Sequence, residues 1–76
     1  MEYEIHEFRL TASMLTYTIL VTFILKDFRT IPVLKYYVFK DRTIGSKPIY
    51  EDNIELNLNM YQTILNKCLL LEKLNL

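Results

Sequence analysis

The sequence predicts an α+β domain: a small antiparallel sheet of three to four strands followed by one C-terminal amphipathic helix. Three observations carry this. Residues 14–26 alternate between two sides with period two, and apolar residues after Asp52 recur at spacings of three and four. With 76 residues, the chain has room for one core and one domain, 1–76.

The strand over 14–26 is the clearest element. Leu15, Tyr17, Ile19, Val21, Phe23 and Leu25 fall on one side, and Met14, Thr16, Thr18, Leu20, Thr22 and Ile24 on the other. One side is wholly apolar and the other is largely threonine, with the β-branched content that suits a pleated surface. Leu10 to Leu25 is also a run of sixteen residues without charge, which raises a membrane-associated reading through 10–25. A spanning helix needs about 20 mostly apolar residues, and the alternating threonines favour the strand.

A weaker strand precedes it over 2–10. Tyr3 and Ile5 share one parity, Phe8 and Leu10 the other, so a bulge near His6–Glu7 would turn all four inward. Thr11-Ala12-Ser13 then forms the hairpin turn. Residues 26–30 suit a connection, and 31–40 read as a third strand, with Leu34, Tyr36 and Val38 opposite Val33, Lys35, Tyr37 and Phe39. Pro32 lacks an amide donor and belongs at a strand start or edge. The loop 41–48 holds the single glycine, and 49–50 is a short edge strand.

The helix is expected over 53–73. Asp52 suits its N-cap and Glu55, three residues on, a variant capping box. Ile54, Leu58, Tyr61, Leu65 and Cys68 form the stripe, widened by Met60, Ile64, Leu69 and Leu71. Leu56, Leu70 and Leu74 fall outside it and are candidates for a second buried face at an oligomer interface. Ile54, Leu56 and Leu58 also alternate, so the alternative is a last strand over 53–58 with the helix starting near Asn59.

Composition bears on partners. A chain this short buries only about 60% of the surface its unfolded form exposes, yet 51% of its residues are hydrophobic. The excess apolar surface points to a homo-oligomer or another protein partner. Net charge is zero but unevenly spread. Glu2, Glu4 and Glu7 outnumber Arg9 at the start, and Glu51, Asp52, Glu55 and Glu72 outnumber Lys67 and Lys73 at the end. The middle is basic, with Lys26, Arg29, Lys35, Lys40, Arg42 and Lys47 against Asp27 and Asp41.

The single cysteine cannot form an internal disulfide, and Glu2 and Glu4 occupy the place of a leader's positive charge. The expected location is the cytoplasm of the cell or of an infected host. One Ala and one Gly beside many Ile, Asn, Lys and Tyr residues fit an AT-rich genome, such as that of a phage or other virus.

Little in the chain points to catalysis. Metal centres draw three or four ligands together, whereas His6 and Cys68 are the only residues of their types. Cys68, in the helix stripe, reads as a small buried hydrophobe. Pairing of Glu2, Glu4 and Glu7 with Glu51 and Asp52 across the fold is the acid–base alternative, but acids at chain ends and in a cap read first as solvated charges. With one glycine there is no phosphate-cradling loop. The expectation is no enzyme, no metal and no cofactor.

The remaining constellation is basic and aromatic: Lys35, Tyr37, Lys40, Arg42 and Lys47, with Tyr36 and Phe39 interleaved. Cations for phosphates beside rings for bases suit single strands or nucleotides, or an acidic partner. Lysines on an edge strand also block sheet-to-sheet aggregation, and that plainer role ranks first. The sequence therefore favours a non-enzymatic protein-interaction module, a homo-oligomer, of the kind a phage or virus would use to bind and inhibit a host factor. Binding of nucleic acid or nucleotide through 26–48 is the alternative, and membrane association through 10–25 ranks third.

Overall fold

The computed structural model describes residues 2–24 and 33–74. Four strands, β1 (Glu2–Thr11), β2 (Thr16–Ile24), β3 (Val33–Phe39) and β4 (Tyr50–Ile54), precede one helix, α1 (Met60–Leu74). The strands form one antiparallel sheet in the order β1-β2-β3-β4, and α1 covers one face of it. The expected α+β architecture is the observed one. The expected connection over 26–30 and Pro32 lie outside the described residues.

The alternation in β2 decides which face the helix covers. Tyr17, Ile19 and Val21 are almost fully buried, as are Tyr36 and Val38 beside them on β3. Met60, Ile64 and Cys68 of α1 close this core, one turn apart along the helix. Phe8 and Leu10 of β1, with Tyr50 and Ile54 of β4, pack around its rim. Burial pushes the Cys68 thiol up to about 11, with the charge of Glu72 adding to it. Cys68 is thus a neutral packing residue at physiological pH.

The bulge in β1 falls one residue earlier than the sequence suggests. The register slips between Glu4 and His6, so Ile5 has no partner on β2. Tyr3 joins Phe8 and Leu10 on the helix side, whereas Ile5 stays exposed. The slip also puts Glu4 and Glu7, three residues apart, on the same face of the sheet.

Three boundaries differ from expectation. First, β2 starts at Thr16, not residue 14, because the amides of Ser13 and Met14 bond to the Glu72 carboxylate at 3.2 and 2.6 Å rather than to a strand. Second, the last strand is β4 rather than a two-residue edge at 49–50. Third, α1 begins at Met60 instead of residue 53, close to the alternative start near Asn59. Tyr50–Ile54 is held in the sheet by its ladder to β3. Asp52 is therefore no N-cap: its carboxylate accepts from the Tyr50 hydroxyl at 3.2 Å and the Asn53 amide at 2.8 Å. Asn57 serves the helix start, its side chain accepting from the Asn59 amide at 2.8 Å.

The later start also changes the buried stripe. Met60, Ile64, Cys68 and Glu72 face inward, while Leu58, ahead of the helix, is fully exposed and Tyr61 half exposed. Glu72 is 3% exposed although charged, and its two backbone donors account for this. It fastens the end of α1 to the β1–β2 turn, where Ala12 and Leu15 close the loop. Glu72→Ala leaves two amides without their acceptor and should cost about 1–3 kcal/mol in urea unfolding. Glu72→Gln, which keeps one acceptor oxygen, should cost less.

Candidate functional site

Two surfaces hold the residues singled out by the sequence: the sheet face opposite α1, and the outer side and end of α1. On the open face, the bulge in β1 aims Glu4 and Glu7 toward β2. The Arg42 guanidinium donates to both, to Glu4 at 3.0 Å and to Glu7. Arg42 follows β3, so the bond draws the β3–β4 connection across the sheet. That connection, residues 40–49, is longer than the two to five residues a hairpin needs. Its fold-back ends in a turn from Thr43 to Ser46, closed at 3.0 Å, with Gly45 at φ +80°. No atom crowds Gly45, so it is the backbone angle that calls for glycine.

The strapped segment explains two buried apolar residues on a face the helix does not touch. Leu20 and Phe39 are 6% and 7% exposed, and Arg42 lies 5.4 Å over the Phe39 ring. Between strap and sheet is an open hollow of about 760 Å³, with Leu20 and Phe39 on its floor and Glu2, Glu4 and Tyr37 on its walls. Glu2 accepts from the Thr22 hydroxyl at 2.7 Å and from the Tyr37 hydroxyl. These bonds, Tyr37 first, hold its carboxyl below the usual value of 4.5. Burial and the Glu2 carboxylate together raise the Tyr37 phenol.

Lys35, Tyr37 and Arg42 thus share the open face and are engaged by the chain's own acids. Lys35 pairs with Glu51 at 3.5 Å and lies 5.1 Å over the Tyr37 ring. Arg42 is held by Glu4 and Glu7. Lys40 and Lys47 are exposed and form no ion pair among the described residues. Lys40 and Arg9, the latter outside the expected binding set, line one groove with Thr16, Thr18 and Asp41. Lys26 and Arg29 lie outside the described residues. Tyr36 belongs to the core on the other face, where burial raises its phenol.

The three leucines of the expected interface come from two segments. Leu56 precedes α1, whereas Leu70 and Leu74 lie in its last turns, and all three are exposed, Leu70 by 47% and Leu74 by 72%. Leu69 is exposed too, as are Met14 and Leu15 of the β1–β2 turn. Leu69 and Met14 line a small groove of about 240 Å³. The two turn residues were read as strand, so their place beside the helix end was not legible.

No family model, curated protein or solved structure gives a significant match to this chain. His6 stacks on Phe8 at 5.0 Å and meets the Tyr61 hydroxyl at 3.3 Å, an aromatic edge between β1 and the start of α1. Among the described residues, no three metal-ligating side chains converge. No described helix is long and apolar enough to cross a membrane, and residues 16–24 are strand.

Two predictions concern the open face. Exposed ion pairs contribute at most about 1 kcal/mol each, so Arg42→Gln should change unfolding free energy little. It should nevertheless raise amide exchange across 40–49 and around Leu20. Glu2 has a lowered folded pKa, so its contribution to stability is complete above the unfolded value of 4.5 and fades as pH falls through the lowered one. Glu2→Gln should therefore flatten the acid limb of urea midpoints measured from about pH 6 to about pH 3.

Proposed function

We propose that the chain is a non-enzymatic protein-interaction module that acts by occupying a protein surface and assembles with itself. The observation that carries this reading is the apolar end of the molecule. Met14 and Leu69 line one groove beside Glu72, and Leu70 and Leu74 in the last turns of α1 are also exposed, and adjoining exposed apolar residues mark interaction surfaces. Elsewhere the chain's polar groups answer one another: Arg42 to Glu4 and Glu7, Lys35 to Glu51, Tyr37 to Glu2. A partner that buried Leu70 and Leu74 would cover two of the exposed apolar residues of the helix.

Size and composition extend the reading to a phage or viral accessory protein that binds and inhibits a host factor. A second reading, binding of nucleic acid or nucleotide, draws on Arg9 and Lys40 along the groove with Thr16 and Thr18. The carboxylates of Glu2, Glu4 and Glu7 on the same face work against it, because a phosphate backbone would meet them too.

Native mass spectrometry with an ultraviolet ratio at 260 and 280 nm separates the two. The protein-interaction reading expects a multimer without added mass, converted to soluble monomer by Leu70→Glu with Leu74→Glu and unaffected by Lys35→Glu with Lys40→Glu. A monomeric wild type at high micromolar concentration overturns it. So does bound nucleic acid that is released by salt and lost in the lysine variant.

A further inference from the structure

Arg9 and Lys40 come from different elements, and neither forms an ion pair among the described residues. They nevertheless line one groove of about 370 Å³. Its floor is sheet: Arg9 lies opposite Thr18 across the strands, and Thr16 is two residues before Thr18 on the same face. Its other wall is the start of the β3–β4 connection, Lys40 to Thr43. The bonds from Arg42 to Glu4 and Glu7 tie that wall to β1. Two like charges confined to one groove repel each other, and a bound anion would relieve both.

The lining selects the anion. Thr16, Thr18 and Thr43 add hydroxyl donors to the two cations. Two positive charges with several donors match a phosphate dianion, with its extra charge and acceptor oxygens, better than a carboxylate. No aromatic ring lines the groove, so nothing there stacks on a base. Next along the face, Glu4 and Glu7 carry one charge more than Arg42 balances and would repel the second phosphate of a longer chain. Asp41 also lines the groove and opposes any anion, which keeps the affinity weak.

We propose that the groove between Arg9 and Lys40 binds the single phosphate group of a small phosphate ester, with these two residues as charge partners and the threonines as hydroxyl donors. Such a site is independent of the leucines of α1 and goes beyond the interaction-module reading.

Amide chemical shifts, followed while sodium phosphate replaces sodium chloride at constant ionic strength, test the site. At millimolar phosphate, saturating shifts should appear at Arg9, Thr16, Thr18, Lys40 and Thr43. Arg9→Gln and Lys40→Gln should each weaken binding about tenfold. Lys47→Gln, at an exposed lysine outside the groove, should leave binding unchanged, and Asp41→Asn should strengthen it. All four positions are exposed, and circular dichroism checks that each variant folds. No saturation, or an equal loss in Lys47→Gln, overturns the site. Equal shifts from acetate overturn the choice of phosphate. Tighter binding of a single-stranded oligonucleotide at the same residues overturns the choice of a single group. A failed phosphate titration leaves the interaction-module reading standing, since that reading is decided by the oligomeric state.

Discussion

The helix-facing side of β2 is the constraint on which the rest of the structure depends. A single sheet of four strands has two faces, and Tyr17, Ile19 and Val21 make one of them too apolar to leave in water. Among the described residues one helix is available to cover it. Met60, Ile64 and Cys68 meet that stripe, β3 extends it with Tyr36 and Val38, and Phe8, Leu10, Tyr50 and Ile54 seal its rim. With so thin a core, the buried Glu72 bond to the turn matters, because it fixes the end of the helix where apolar packing gives out.

The open face solves the same problem without a second helix. Leu20 and Phe39 lie on that face, and the β3–β4 connection folds over them. Its anchor follows from a one-residue irregularity: the slip at Ile5 aligns Glu4 with Glu7, and their two carboxylates hold Arg42. The basic middle of the chain and its acidic start, separate in sequence, are thus partly neutralised against each other in space. This lowers the weight of a nucleic-acid face.

Much of the fold was legible in the residues. The order of elements, the antiparallel sheet and the buried face of β2 follow from alternation and spacing alone. So does the burial of Cys68 in the helix stripe. The candidate surfaces were legible as residue sets but not as places. Leu56, Leu70 and Leu74 read as one interface, yet Leu56 lies ahead of the helix. Lys35, Tyr37 and Arg42 read as a binding segment, yet each is engaged by an acid of the chain itself.

The sequence by itself determined which residues alternate and which repeat with helical spacing, because those periods are properties of the local backbone. Tertiary structure decided where the periods stop. Residues from 53 on fit the beginning of a helix as well as a last strand, and the edge of β3 pairs with residues 50–54. It also decided which charges meet, because the partners of Arg42 and Glu72 lie 35 and 58 residues away along the chain. No local pattern encodes a pairing at that distance.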